Sequence, residues 1–299
     1  MAAIMMYNLS YIIATRNRLP FLKITLSRLI DQRLPDEEIV VVDGNSTDGS
    51  KEYLQELFDT GKIHQFISEP DKNQAHAWNK AMLMATGTII KKIIDDDVFC
   101  YEAISACKDF MLQNPGVDVL LSNDLASGLN DHQNIQQCSR LQQFEKWKGG
   151  LMPSFTFGDV HMLIRRTSLA YIGLYSTAFV MMDWEYSLRI SYLKANIAYY
   201  TGYNALSVDH PQTVSSLKDR MLIEEQGKKG CIFYEYAGDT AEISAWSKIK
   251  IGAGKLLKPV KNDEVKSQPA GDIDTIYAFY YKYIREINEG KVFKFLTKD

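Results

Sequence analysis

No apolar run in this chain approaches the ~20 residues that a membrane-spanning helix needs, so a transmembrane anchor is not expected. The opening residues, MAAIMMYNLSYIIATRNR, lack a basic leader and a proper apolar core, and do not read as a secretory signal. Cysteine is scarce: Cys100, Cys107, Cys138 and Cys231 are the four in 299 residues, and no two stand at CxxC spacing. That argues against a disulfide framework and a zinc site, and predicts reduced thiols in a cytoplasmic protein. Positive charge is not in excess, since the net charge is −3, so no nucleic-acid partner is expected. There is no Walker loop, no GxGxxG and no internal repeat.

What remains is an ordinary globular composition, 46% hydrophobic and 24% charged. It is fairly aromatic, with 17 Tyr and 13 Phe. The length suits one large α/β domain with an extension, or two modest domains. LSYIIAT (9–15) reads as a buried strand, broken by RNRLP. Leu22, Leu26, Leu29 and Ile30 then fall at helical spacing. A second buried strand, Ile39 to Val42, ends in the loop DGNSTDGS, where Ser50 can cap a helix that Gly61 closes. IHQFISEPD, TIIKKII and VDVLLSND read as further strands, with NQAHAWNKAMLMATG and YEAISACKDFMLQNPG as helices between them.

Strands alternating with helices imply a mostly parallel sheet, whose ligands sit at the C-terminal strand edge. The polar signals cluster at those edges: Thr15 to Arg18, Asp43 to Ser46, Glu69 to Asp71, Asp95 to Asp97, and Ser122 to Asp124. Beyond residue 126 the alternation blurs. LASGLNDHQNIQQ reads as a loop, VHMLIRR as a strand, WEYSLRISYLKAN as a helix and IAYYTGYNALSV as a strand pair.

The adjacent carboxylates Asp95, Asp96 and Asp97 repel one another and resist burial, so a cation there has a reason to exist. Mg²⁺ and Mn²⁺ prefer such oxygens and keep positions open for phosphate. Equally, an acidic turn can cap the next helix. Asp43 can accept from a base or a ribose hydroxyl, or can simply shape the tight loop DGNSTDG. Glu185 and Arg189 are four apart and can pair on one helix face. Asp183 has no such partner, and is therefore the better candidate for a general base, or else a helix N-cap. His210 is a candidate metal or phosphate ligand.

Taken together, YIIATRNRLPFLKITLSRLIDQ, EIVVVDGNSTDGS, SEPDKNQAHAWNKAMLMATGTII, IIDDDVF and MMDWEYSLRI resemble, in order and spacing, the motifs of glycosyltransferase family 2. These are inverting sugar-nucleotide transferases of GT-A fold, and the third segment is similar to members acting on bacterial surface polysaccharides. The resemblance covers roughly residues 8–216. It implies a GT-A domain over 1–216, with a nucleotide-sugar half (1–125) and an acceptor half (126–216), then a mainly helical extension over 217–299. It implies that Thr15, Asn17 and Arg18 line the nucleotide pocket, Asp43 reads the base, and Asp71 borders the donor. Asp95 opens a DxD-type motif, Asp96 and Asp97 contact ribose and metal, and Asp183 deprotonates the acceptor. The implied cofactor is Mn²⁺ or Mg²⁺, the donor a nucleotide sugar such as a UDP-sugar, and the acceptor a saccharide or lipid-linked saccharide. Two positions depart from the pattern: Gly44 stands where many members carry a second acid, and Met182 precedes Asp183 where Glu is common.

The stretch 243–262 holds five lysines and no acid among apolar residues, which suits either a solvated surface or peripheral contact with an anionic membrane face. The aromatic helix IDTIYAFYYKYIREI is expected to pack on the core or on a second copy of the chain. Other readings are a non-catalytic nucleotide-binding member of the same fold and a haloacid-dehalogenase-type phosphatase. The latter wants Thr or Val where Phe99 stands, and wants its motif on the first strand, not the fourth.

Overall fold

The computed structural model describes residues 7–209, 220–238 and 272–298. Among the described residues ten strands form one sheet, eight of them in the order β10-β9-β6-β8-β4-β1-β2-β3, with β5 beside β9 and β7 beside β6. Its parallel heart is β1 (Leu9–Thr15), β2 (Glu37–Asp43), β3 (Gln65–Ser68) and β4 (Ile89–Ile93). The helices between them are α1 (Leu19–Gln32), α2 (Ser50–Asp59) and α3 (Gln74–Met84). β1, β2 and β4 are buried along almost their whole length because helices cover both faces. Residues of β1 alternate between two cores. Tyr11 and Ile13 meet Leu22, Leu26 and Leu29 of α1, while Ile12 joins Val40, Val42 and Trp78 of α3 on the other side.

The chain continues through β5 (Val98–Phe99), α4 (Tyr101–Gln113), β6 (Val119–Gly128), β7 (Asp131–Cys138) and α5 (Leu141–Lys148). A 3-10 turn (Asp159–His161), β8 (Met162–Arg165), α6 (Leu169–Ile172), α7 (Met182–Tyr192) and β9 (Ile197–Asp209) follow. β8 runs antiparallel to both β4 and β6, so β6 and β4 point the same way. After residue 219 come α8 (Arg220–Phe233), α9 (Ile273–Asn288) and β10 (Phe295–Leu296). β10 pairs with β9, and Ile276, Tyr277, Tyr280 and Ile284 of α9 enter the core, so the extension completes the main sheet and its core. The aromatic helix thus packs on its own chain. Residues 243–262, with their five lysines, and the proposed boundary at 216 lie outside the described residues. Among the described residues no helix is long and apolar enough to cross a membrane. All four cysteines are free.

Three sequence expectations are corrected. LASGLNDHQNIQQ is not a loop: it completes β6, turns, and returns along most of β7, a largely exposed polar strand with no apolar alternation to announce it. IAYYTGYNALSV is one strand, not two. Thr201 and Gly202 are the extra residues of a bulge against β6, and a Cβ on Gly202 would stand 2.5 Å from the Tyr200 ring. Ser50 does not cap α2. The Asp48 carboxylate does that work, accepting from the Ser50 N–H and the Leu19 N–H at 3.0 Å each, and so tying the starts of α1 and α2 together. Gly61 closes the helix as expected, at φ 69°.

At Gly87 the chain passes so close to β1 that an added Cβ would lie 2.7 Å from the Ser10 backbone nitrogen and 2.8 Å from the Leu9 carbonyl carbon. Ser10, Glu38, Thr86 and the Gly87 N–H share a buried hydrogen-bond knot there. Backbone cannot give way as a side-chain tip can. Gly87→Ala is therefore expected to cost about 1–3 kcal/mol, measured by urea unfolding; a cost below ~0.5 kcal/mol would show the knot to be more pliable than its distances indicate.

Candidate active site

β1 and β2 are in register, with Thr15 opposite Asp43, so both strands deliver polar residues to one edge. β4 delivers Asp95, Asp96 and Asp97 to the same edge, all three buried. Each is turned toward a different element. Asp95 accepts from the Thr15 hydroxyl at 2.5 Å. Asp96 pairs with the Arg18 guanidinium at 2.8 Å, and its carbonyl accepts from the Tyr277 hydroxyl of α9. Asp97 accepts from the Val208 N–H at 2.7 Å. Burial, then the charge of Asp96, pushes the Asp95 carboxyl up to about 7 and lifts Asp97 well above the carboxylate range.

These residues face two adjoining clefts. The larger, of about 770 Å³, is lined by Thr15, Arg18, Asp71 and Asp95, with Ala178, Phe179 and Val180 from the loop before α7. The smaller, of about 310 Å³, is lined by Asp96, Asp97 and Asp183, with Lys92, Asp159 and Asp209. Arg18, Asp95 and Val180 border both. Asp71 is held by Lys80 at 2.7 Å and His76 at 3.1 Å. A Cβ on Gly44 would press to 3.2 Å from the Asp71 carboxylate, so the missing second acid has a packing reason.

Other expected site residues are placed differently. Asp43 is fully buried behind the clefts, accepting from the Ser46 N–H and hydroxyl at 3.0 and 2.5 Å and the Ser68 hydroxyl at 2.6 Å. Asn17, at φ 53°, staples two loops, its side-chain oxygen accepting from the Thr47 N–H at 2.8 Å. Neither lines either cleft. Ser122 to Asp124 do not end a strand, because β6 runs on to Gly128 beside β9. His210 lies outside the described residues.

Asp183 is the second residue of α7, half-buried, and not its N-cap, which is Met181. Met182, at the place where Glu is common in the family's motif, is buried in the core and lines the smaller cleft with an apolar side chain. Asp159, which sequence reading missed, lines the same cleft as Asp183. Its carboxylate is locked by Lys92 at 2.6 Å and by the Tyr175 hydroxyl at 2.7 Å. Lys92 also lies over the Trp78 ring at 4.5 Å. A signal was present: TIIKKII puts two lysines in a buried strand, and each needs a partner. Lys91, on the other face, donates to the Val160 carbonyl, and burial pushes its amine down to about 7. Burial first, then the charge of Asp159, raises Asp183, against the opposing pull of Lys92. Glu185 and Arg189 form the expected pair, bidentate at 3.0 and 2.6 Å.

With this geometry in hand, likeness to known proteins is informative. The sequence model described as Glycosyl transferase family 2 matches residues 10–173, more than half of the chain. The putative teichuronic acid biosynthesis glycosyltransferase TuaG of Bacillus subtilis (strain 168) is 30% identical over 106 residues, 35% of this chain and 42% of that protein. The chain spans less than half the length of the curated relatives it matches. The S. aureus TarS 1–349 structure in complex with UDP-GlcNAc superposes with a TM-score of 0.61 at 19% identity, over 83% of this chain and 71% of that one. The mannosyltransferase PcManGT from Pyrobaculum calidifontis, in complex with GDP-Man and Mn²⁺, reaches 0.52 at 15% identity, over 94% and 85%. The mixed sheet with helices on both faces is the GT-A fold that the resemblance implied, and the chain belongs to glycosyltransferase family 2.

Proposed function

We propose that the protein is an inverting glycosyltransferase that moves a sugar from a UDP-sugar to a saccharide or lipid-linked saccharide acceptor. The observation that carries this reading is the adjoining pair of clefts: one bordered by Thr15, Arg18, Asp71 and Asp95, the other by Asp183. The larger takes the nucleotide; the smaller takes the acceptor. A neighbour of the same fold is solved with UDP-GlcNAc.

In a single displacement, the acceptor oxygen attacks the anomeric carbon opposite the leaving diphosphate. The bond from that carbon to the acceptor oxygen forms, and the bond to the diphosphate oxygen breaks. The acceptor's proton passes to the Asp183 carboxylate, and the configuration inverts. Arg18 and Thr15 orient Asp96 and Asp95.

Among the described residues no three His, Cys, Asp or Glu side chains gather to hold a metal ion. The donor set does fit a hard cation with further phosphate and water ligands. Asp97 and Asp95 are buried carboxylates raised by burial and by Asp96, a charge balance that Mn²⁺ or Mg²⁺ would reverse. Held by Asp95 and Asp97, such an ion would supply positive charge toward a departing diphosphate. PcManGT is a neighbour solved with Mn²⁺.

Thermal unfolding with UDP, GDP, dTDP and CDP, with and without Mn²⁺, tests the reading. A ligand at one hundred times its Kd adds about 2.7 kcal/mol of stability. UDP with Mn²⁺ is expected to raise Tm, and Asp97→Asn to remove the rise. No shift with any nucleotide would overturn the proposal.

A further inference from the structure

The loop from Tyr175 to Met181 forms one wall of the larger cleft and leads directly into α7, which carries Asp183. Its own hydrogen bonds are long. Phe179 N–H reaches the Ser176 carbonyl at 3.4 Å, and Ala178 N–H reaches the Ser176 hydroxyl at 3.4 Å. Shorter bonds come from amide side chains elsewhere. Asn79 of α3 grips both the N–H and the carbonyl of Tyr175 at 2.9 Å each, and Asn73 donates to the Thr177 carbonyl at 2.8 Å. The third amide is Gln226 of α8. It accepts from the Val180 N–H at 2.8 Å and donates to the Ala178 carbonyl at 2.7 Å. This two-point grip spans Phe179 and fixes the backbone on either side of it.

α8 is seated on the same unit by further contacts. Gly230 lies against Trp184, where a Cβ would approach the indole to 2.6 Å. The Tyr234 hydroxyl donates to the Glu185 carboxylate, and the Ser154 hydroxyl donates to the Tyr234 carbonyl at 2.8 Å. Leu222 and Gln226 themselves line the larger cleft. The extension after residue 219 therefore closes the wall that the family 2 match, which ends at residue 173, leaves out.

We infer that Gln226 is a positioning residue: its amide sets the loop over Ala178–Val180, and through it both the shape of the nucleotide cleft and the placement of Asp183. The inference rests on the function proposed above. A mobile loop would have to be ordered on each binding event, and that cost appears as lost affinity. Gln226→Glu keeps an acceptor for the Val180 N–H but loses the donor to Ala178. Gln226→Ala loses both.

The test measures Kd for UDP in the presence of Mn²⁺ by calorimetry, with Tm recorded for each variant, and UDP release from UDP-GlcNAc for KM and kcat. Loss of two hydrogen bonds on a half-exposed helix is expected to weaken UDP about tenfold in Gln226→Ala, and at least as much in Gln226→Glu, whose carboxylate faces the Ala178 carbonyl and the anionic nucleotide. Tm is expected to stay within about 2 °C of the parent. KM should rise more than kcat falls. Gly230→Leu, which lifts α8 off Trp184, is expected to weaken UDP in the same direction. Parent-like Kd and KM in Gln226→Ala, with the parent binding UDP, overturn the inference alone. Failure of the parent to bind UDP overturns the proposed function and this inference with it.

Discussion

Asp183→Asn is expected to lower sugar transfer by about 10²–10⁴-fold, the ordinary contribution of a general base, while leaving nucleotide affinity nearly intact. Asn keeps the size and the hydrogen-bonding edge of Asp but cannot take a proton. Asp183 lies in the smaller cleft, away from the residues that border the larger one alone. Binding and chemistry should therefore separate. The pH dependence supplies a second check. As the proposed base, Asp183 would act only when ionised, and burial, then the charge of Asp159, raises its carboxyl from the ordinary Asp value. Activity is then lost as pH falls through that raised value, and the acidic limb should lie above the range of an exposed Asp. Initial rates across pH 4–9 and UDP calorimetry on the same preparations measure both. A variant retaining more than a tenth of the parent rate would remove Asp183 from the role of base. A parent that binds UDP yet transfers to no acceptor would instead favour the non-catalytic reading.

The second large effect concerns stability. Lys92 and Asp159 are paired at 2.6 Å with side chains only 5% and 4% exposed. Removing one partner of such a pair strands the other charge in a medium that solvates it poorly, at about 3–5 kcal/mol. Lys92→Met leaves Asp159 with only the Tyr175 hydroxyl among its contacts described above. It also removes the cation from over Trp78. Tm is expected to fall by about 10 °C in a chain of this size. The double replacement Lys92→Met with Asp159→Leu removes both charges together and should recover most of the loss. Calorimetric unfolding of the two variants decides the matter. A single variant within about 1 kcal/mol of the parent would mean that water reaches the pair and screens it.

Much of the fold follows from contiguous residues. LSYIIAT and EEIVVVD carry the apolar runs YIIA and IVVV, each ending in a polar group, and such runs form strands covered on both faces whose ends meet at one edge. Thr15, Arg18, Asp71 and the three aspartates after β4 were legible for that reason, since a strand's C-terminal end is a local property of the chain. β7 was not legible, because an exposed strand bonded through its backbone needs no apolar alternation. The Thr201–Gly202 bulge was not either, since it is defined only against the partner strand. The same limit applies within the site. Asp183 could be named from its own helix, but the carboxylate beside it, Asp159, comes from another element and is held by Lys92, 67 positions earlier. Gln226 grips a loop 46 positions before it. Sequence periodicity determined which elements form and where their polar ends lie. Only the tertiary structure decided which charges neutralise each other across the sheet and which helix holds the loop beside Asp183, because those pairings are made through space, where local pattern carries no record of them.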